Sequence, residues 1–430
     1  MRRRGNISSR RNEGGVVITL IAIIVLFVVG AMAAISVDVV TLYTARSEAQ
    51  LAADSAALAG ARVLANSGMT SSDMSSNPTL TTSAEALATT IATQVASNNL
   101  VGGRNLIPGG TCPGQEICVS FNNTSAPTNP HITVNVQRAD LPTFFARIWG
   151  RTVLAVAASA TAEAYNPTYN SATSTGNEPP VAPTCVKPWV LPNLDPNGSG
   201  SATIFNADGS ISDSALLGWT STTTLLTNAC ETGSTCNTPT KWQFYPGDTT
   251  TTFAPPSSYP TCAPALTTPY EQSIGGCVPV ALACNGTADI VSHHHPNQTT
   301  NGVNCLTHSA GNGGDTVTVT PPLPPTTAIE FVAGADNPFV LTGALTAPAD
   351  IMVSDSLVTV PVFSNFSPPP SSVTIIGFVQ LFLNPNGQAT PPGDQVMTTV
   401  INMAGCGTVS GQAILGNGAS PVAVRLISPP

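Results

Sequence analysis

The sequence predicts an α+β protein in which a transmembrane helix continues into an alanine-rich stalk helix, followed by a small α+β unit and a mostly β domain with disulfides. Three observations predict this fold class. An uncharged stretch of 24 residues follows an arginine-rich start, helical periodicity persists to residue 98, and proline, threonine and alternating apolar residues dominate from residue 185. We expect five regions in chain order: a basic tail over 1–15, a membrane span over 16–37, a stalk with its α+β unit over 38–165, a linker over 166–184 and a β domain over 185–430.

The membrane span is predicted from the stretch Gly14 to Val37, which contains no charged residue. At ~1.5 Å per residue it forms a helix of roughly 36 Å, enough to cross a bilayer core of about 30 Å. Five arginines precede it, and basic flanks favour the cytoplasmic side. We therefore expect a single-pass membrane protein, with its N-terminus in the cytoplasm and everything after Asp38 outside the cytoplasm.

Two other N-terminal signals compete with a retained anchor. A cleaved signal peptide would end at a small-x-small site, which Ala31-Met32-Ala33 offers, but the uncharged run continues to Asp38 and favours retention. A prepilin signal would place Glu at the fifth residue after the glycine, where Gly15 is followed by Leu20. The prepilin signal is therefore missing.

The helix is predicted to continue beyond the membrane, because residues 38–65 contain no proline and much alanine. A stripe of small residues follows helical spacing, and its members are Leu42, Ala45, Ala49, Ala53, Ala56, Gly60 and Val63. The stripe packs either on a partner helix or on the chain's own globular domain. Asp38 either pairs with an N-terminal charge or arginine of a neighbour, or marks the membrane interface. Gly30 and Ala34 form a small-xxx-small pair in the span.

The composition indicates an exported protein. Charged residues make up 9% of the chain, against about 25% in ordinary globular proteins. The chain holds 14 basic and 23 acidic residues, and five of the basic ones precede residue 12. The part beyond the anchor is therefore acidic, which disfavours nucleic-acid binding.

Ten cysteines, none of them in the anchor, predict disulfides on the oxidising side of a membrane. Short spacings suggest three local pairs, which are Cys112–Cys118, Cys230–Cys236 and Cys277–Cys284. Loops this short remove little entropy from the unfolded chain, ~2–3 kcal/mol each. We expect such pairs to fix loops rather than to hold the whole fold.

Several elements are predicted from periodicity. Thr82 and Glu85 have capping-box spacing for a helix over 82–98. Pro142 is expected to open a short helix carrying Phe144, Phe145, Ile148 and Trp149. Alternating or continuous apolar residues predict the strands 132–137, 152–164, 316–320, 328–332, 357–363, 373–383 and 396–403. The run 373–383 is apolar on both faces, so we expect it to be a buried central strand.

Residues 14–64, which we call the first block, resemble the N-terminal region of Flp pilus-assembly proteins of the TadE/TadG-like group. This resemblance depends on Asp38, Tyr43, Arg46, Gln50 and the string from Ala53 to Gly60. Residues 141–164 are similar to a second hallmark, an aromatic-glycine turn before an alanine-rich strand. The second half, with KPW at 187–189 and SLVTVPVF at 356–363, looks like the longer exported members. The resemblance implies a single-span envelope protein of the bacterial inner membrane, with a periplasmic or extracellular C-terminal region, that takes part in tight-adherence pilus assembly and has no known catalytic residues.

Two motifs offer ligands of the kind found in metal sites. The region 284–308 holds the zinc-type ligands Cys284, His293, His294, His295, Cys305 and His308. Three adjacent histidines do not easily face one ion, and an oxidising compartment favours disulfides, so we expect a disulfide-stabilised loop without zinc or copper. Asp208, Ser210 and Ser212 match the D-x-S-x-S pattern of integrin-type sites, but the segment is better interpreted as two strand ends joined at an Asp-Gly turn.

The leading hypothesis is a non-enzymatic, membrane-anchored envelope protein of Flp or tight-adherence pilus assembly. Its expected partners are the lipid bilayer and pilin-like or secretion-system proteins that contact the N-terminal helix. The alternative is a stalk-displayed adhesin or surface binding module formed by residues 185–430. A secreted hydrolase is disfavoured, because the sequence has no G-x-S-x-G, H-E-x-x-H or P-loop motif. We expect no catalytic residues and no cofactor.

Overall fold

The structure is a computed structural model, and it describes residues 13–72, 77–109, 112, 114–123, 129–167, 180–196, 202–212, 216–225, 243–247, 262, 265–290, 296–308, 313–364, 372–385, 395–407, 413–415 and 420–427. Its helices are α1 Glu13–Asn66, α2 Pro78–Asn98, α3 Pro269–Gly275, α4 Pro296–Leu306 and α5 Pro338–Leu341, with 3-10 helices at Met69–Ser71 and Ala146–Trp149. Its strands are β1 Leu100–Val101, β2 Arg104–Asn105, β3 Ile117–Asn122, β4 His131–Pro142, β5 Val153–Tyr165, β6 Val181–Ala182, β7 Trp189–Pro192, β8 Thr220–Leu225, β9 Gln243–Pro246, β10 Thr287–Asp289, β11 Thr316–Thr318, β12 Glu330–Val332, β13 Asp350–Ile351, β14 Leu357–Phe363, β15 Ser372–Leu383, β16 Gln395–Gly405, β17 Ile414–Leu415 and β18 Ala423–Ile427. The predicted fold class is confirmed.

Helix α1 is continuous over 54 residues, a length of about 80 Å. The predicted continuation of the span into a stalk is therefore confirmed. Six members of the small-residue stripe are buried in the chain itself, and Leu42 is half-buried. Of the two interpretations of the stripe, packing on the chain's own fold is the one that the structure confirms.

The chain divides into two compact units, each made of separate stretches of sequence. The first comprises Met1–Ser55, Gln94–Cys118 and Asn135–Ser159, and the second comprises Ala56–Thr93, Val119–Val134 and Ala160–Pro430. Four strands form a sheet in the order β18-β5-β4-β3. The last described strand of the chain, β18, pairs antiparallel with β5, so that Ala423 lies opposite Tyr165.

Six strands of the second unit close into a ring in the order β15-β14-β7-β9-β8-β16, because β16 pairs back onto β15. The closure depends on two parallel pairings, β14 with β7 and β8 with β9. Strand β15 lies between β14 and β16 and is buried throughout from Gly377 to Leu383. It is the buried central strand that its two apolar faces predict, and the ring leaves none of its six strands as a free edge.

A buried polar network fixes the end of α1 against the ring within the second unit. The side-chain oxygen of Asn402, on β16, accepts hydrogen bonds from the hydroxyls of Thr70 and Ser71 at 3.2 Å each. Its amide nitrogen donates to the carbonyl of Ala65 and, at 2.7 Å, to Oε1 of Gln380 on β15. Buried polar groups require partners, so this network defines one position for the chain leaving the helix.

Two predicted helix starts are wrong. Helix α2 begins at Pro78 rather than residue 82, because Oδ1 of Asn77 accepts from the backbone N–H of Leu80 at 3.3 Å and acts as the N-cap. Thr82 donates to the Pro78 carbonyl at 2.9 Å and is an interior residue, so it forms no capping box with Glu85. Pro142 ends β4 and does not open the predicted short helix, which is a 3-10 helix that starts later, at Ala146. That helix contains Ile148 and Trp149 as predicted, but not Phe144 and Phe145.

The disulfides correct one predicted pair. Cys112–Cys118 is confirmed, whereas Cys230 and Cys236 lie outside the described residues. Cys277 pairs with Cys185 and Cys284 pairs with Cys406, so the predicted pair Cys277–Cys284 is wrong. The physical reason is that the two ends of the segment 277–285 are hydrogen-bonded to different parts of the chain. The carbonyl of Val278 accepts from the N–H of Cys185, whereas the N–H of Asn285 donates to the carbonyl of Ile375.

Candidate membrane-proximal site

The N-terminal part of α1 exposes a long apolar surface. Its most apolar 18-residue window has a mean hydropathy of 3.1, with none of that window buried. Phe27 is 75% exposed and Leu26 is 74% exposed. Contiguous apolar surface of this size marks an interaction site, and its length and composition fit single-pass membrane anchoring. Among the described residues, α1 is the one helix that is long and apolar enough to cross a membrane.

Asp38, the first charged residue after the uncharged stretch, accepts hydrogen bonds from the backbone of a distant segment of the first unit. Its carboxylate accepts three backbone N–H groups, from Phe144 at 2.8 Å, Phe145 at 3.1 Å and Ala146 at 2.7 Å. The residue is 8% exposed. Asp38 thus caps the start of the 3-10 helix at Ala146–Trp149, where backbone N–H groups otherwise lack partners. Neither interpretation made from the sequence included this bond to the chain's own backbone.

The turn that Asp38 caps is closed by its own hydrogen bonds. Gly150 has a φ of +80°, the left-handed conformation that glycine adopts readily, and ends the 3-10 helix. The N–H of Arg151 donates to the Ala146 carbonyl at 3.1 Å, and the Thr143 hydroxyl donates to the Arg151 carbonyl at 2.6 Å. We call residues 143–153 the aromatic turn, and these bonds give it a defined shape beside α1.

A second contact lies ten residues further along α1. Oε2 of Glu48 accepts from the N–H of Gly102 at 2.6 Å. The guanidinium of Arg138, on β4, donates to the carbonyls of Val101 and Gly102. Helix α1 is therefore held at two heights within the first unit, at Asp38 and at Glu48.

The first unit also carries an ionic cluster that stabilises its loops. Arg104 donates to Glu116 at 3.0 Å and to Asp140 at 2.9 Å. The hydrogen bond from Arg104 is the largest cause that lowers the pKa of Glu116, and the hydrogen bond from Arg138 is the largest that lowers the pKa of Asp140. These carboxylates are fully committed to structural pairs.

The candidate zinc ligands do not come together in the described part of the chain. Cys284 and Cys305 are in separate disulfides, with Cys406 and Cys262, and a disulfide sulfur is not the thiolate that zinc binds. His308 forms a hydrogen bond with Asp355 at 2.9 Å, which raises the pKa of the histidine. His293, His294 and His295 lie outside the described residues. The absence of bound zinc or copper stays a prediction.

The motif at Asp208 is a turn, as its sequence predicts. Phe205 bridges Ile211 across the turn, and Gly209 has a φ of +82°. Oδ1 of Asp208 accepts from the backbone N–H of Ser210 at 2.9 Å and from its hydroxyl at 2.6 Å. The carboxylate is therefore used to hold the turn.

A buried lysine of the second unit is held by two backbone carbonyls. The amino group of Lys187, from the KPW segment, donates to the carbonyls of Ile274 at 2.7 Å and Gly276 at 2.8 Å. Burial lowers its pKa to about 7. A neutral amine has two N–H donors, which matches the two carbonyl acceptors. The group closes the end of α3, where orphan carbonyls need donors.

Comparison with known proteins supports one part of this picture. Residues 14–63 match the family described as "Putative Flp pilus-assembly TadE/G-like". No curated protein and no solved structure matches the chain. The matched segment contains the exposed span, Asp38 and the buried stalk stripe, so the resemblance of the first block is confirmed. The resemblance of residues 141–164 and of the second half stays a prediction.

Proposed function

We propose that this chain is a non-enzymatic, single-pass membrane component of Flp pilus assembly. One observation carries the proposal. The family match coincides with a single helix whose N-terminal part is bare apolar surface and whose C-terminal part is built into the chain's own fold. Such a helix joins a bilayer to a folded exported region without a flexible hinge.

The orientation is inferred from charge and from cysteine chemistry. Five arginines precede the span, which favours a cytoplasmic N-terminus. Four disulfides are present among the described residues, and disulfides persist in oxidising compartments. Both arguments support a folded region on the periplasmic or outer side of the bacterial inner membrane.

The partner surface is proposed to be the membrane span rather than the stalk. The stalk stripe is already covered by the chain itself. Gly30 has open space around its Cα, with nothing within 4 Å of an added Cβ. Small residues allow a neighbouring backbone to approach closely in a membrane. We therefore expect pilin-like or secretion-system helices to pack beside Gly30 within the bilayer.

The test replaces residues 16–33 by an unrelated apolar span of equal length and keeps both flanks. We expect the chain to remain in the membrane with its disulfides formed, while pilus assembly in the host is lost and co-purification of pilus subunits disappears. Gly30→Leu is the matched point variant, since it changes the proposed contact and touches nothing in the folded region. Full pilus assembly with the foreign span would refute the proposed role.

A further inference from the structure

The aromatic turn exposes apolar side chains that its own unit does not cover. Phe144 is 61% exposed, Phe145 is 38% exposed and Val153 is 51% exposed. The backbone that carries the two phenylalanines is held by three hydrogen bonds to Asp38. In this conformation of the turn both rings face away from the folded part of the chain far enough to stay exposed.

The height of this turn along α1 is fixed by Asp38. Since Asp38 directly follows the uncharged stretch that ends at Val37, it marks the level at which the helix leaves the hydrocarbon. The N–H groups of Phe144 and Phe145 lie within 3.1 Å of its carboxylate. The backbone of the two phenylalanines therefore lies beside the end of the uncharged stretch, near the level where Trp and Tyr are enriched in membrane proteins. Tyr43, 77% exposed on α1, adds a third aromatic near this level.

The charges at this level differ from those of the whole chain. The aromatic turn, residues 143–153, contains two arginines, Arg147 and Arg151, and no carboxylate. Asp38 is satisfied by backbone N–H groups, and Arg151 is exposed. The chain as a whole has a net charge of −9. A local excess of arginine in an acidic protein matches the phosphates of a phospholipid surface.

We propose that the aromatic turn is a second, peripheral membrane contact, in which Phe144 and Phe145 enter the headgroup region of the bilayer that α1 crosses, with Arg147 and Arg151 binding lipid phosphates. The proposal rests on the membrane anchoring proposed above. A span held by a helix alone is free to rotate and tilt. A turn fixed to the helix at Asp38 and immersed beside it restricts both motions, so that the first unit keeps one orientation on the membrane.

The test places the photo-crosslinking residue p-benzoylphenylalanine at single positions of the full chain, reconstituted in vesicles of mixed zwitterionic and anionic phospholipid. At Phe144 it keeps the aromatic ring, and the adduct mass shows whether lipid or protein was captured. The matched control is Leu100, which is 55% exposed in the same unit and adjoins the Glu48 contact, about 15 Å further along α1 than Asp38. We expect about tenfold more lipid adduct at position 144 than at position 100.

A third position separates this inference from the anchoring itself. Phe27 lies in the exposed span, so a crosslinker there must capture lipid if α1 is in the bilayer. Lipid adducts at 27 but none above the control at 144, or protein adducts alone at 144, would overturn the peripheral contact and leave the anchor intact. Failure at all three positions would overturn the anchoring and this inference with it.

The arginines are tested in the same vesicles. The double change Arg147→Gln with Arg151→Gln is expected to lower the lipid adduct at position 144 about fivefold when anionic lipid is present. In purely zwitterionic vesicles the loss is expected to be smaller, because the surface potential is absent. An unchanged yield in both vesicle types would show that the arginines do not bind phosphate.

Discussion

At the scale of single residues, Asp38 joins two segments of the first unit that are far apart in sequence. Its carboxylate binds three backbone N–H groups and so holds the aromatic turn beside helix α1. The sequence places Asp38 at the membrane boundary and includes it in the family resemblance, but spacing alone gives no reason for it to bind a turn 106 residues away. The sequence did contain an indication, because Asp38 and residues 141–164 both lie in segments that resemble the TadE/TadG-like group.

Asp38→Ala is expected to release the aromatic turn while leaving α1 intact. Without the carboxylate, the N–H groups of residues 144–146 lose their acceptors, so we expect their amide hydrogen exchange to accelerate by about tenfold. Asp38→Asn keeps one acceptor oxygen and is the control, with a smaller change. Exchange that is equally slow in all three proteins in detergent micelles would show that the turn is held by other contacts.

Lys187 makes the free energy of unfolding of the second unit depend on pH above neutrality. Burial lowers the pKa of its amino group to about 7 in the fold from an ordinary value of 10.5, so between these values the unfolded chain binds a proton that the folded chain does not. Stability therefore rises with pH in this window, by on the order of 1 kcal/mol per pH unit. Denaturation of wild type and Lys187→Met from pH 7 to 10 measures the difference, and parallel curves would contradict it.

At the scale of elements, helix packing in the second unit depends on the absence of a side chain at Gly60. A Cβ there would lie 2.3 Å from Cδ1 of Ile132 and 3.3 Å from Cβ of Ala92, on α2. Gly60→Val is therefore expected to destabilise the fold by about 1–3 kcal/mol. Gly30→Val, with nothing within 4 Å, is the control on the same helix. Denaturant unfolding in micelles checks this, and an equal loss in both variants would refute the packing argument.

The elements that the sequence predicts well are those with strong periodicity. The strands near Val360, Val379 and Val400 are predictable because apolar residues alternate or run continuously there. Strands β7, β8 and β9 were missed, since they are short and lie among prolines and threonines. Closure of the ring was not predictable either, because it depends on non-local parallel pairs such as Val362 with Leu191. The predicted cap at Thr82 was wrong because Asn77 is the N-cap.

At the scale of the whole molecule, the disulfides have a different role from the one that local pairing predicts. Cys284 lies just before β10 and Cys406 directly follows β16, so their bond joins the ends of two strands that both pair with β15. It closes a sequence separation of 122, and Cys185–Cys277 closes one of 92. Links of this length constrain the unfolded chain much more than a six-residue loop does. The second unit is therefore stabilised as a unit by covalent bonds, which suits a chain in which 9% of the residues are charged.

This argument predicts unequal effects of removing two disulfides. By loop-closure entropy, replacing Cys284 and Cys406 together by serine is expected to cost about 5 kcal/mol, and replacing Cys112 and Cys118 about 2 kcal/mol. The full chain, with Trp149, Trp219 and Trp242 replaced by phenylalanine, is unfolded in micelles with denaturant under non-reducing conditions. The fluorescence of the remaining, buried Trp189 then reports on the second unit. The pair Cys112–Cys118 lies in the first unit, so its loss is expected to leave the Trp189 transition nearly unchanged. A Trp189 transition that moves equally in both double variants would mean that the long disulfide merely fixes a loop, as the short spacings first suggested.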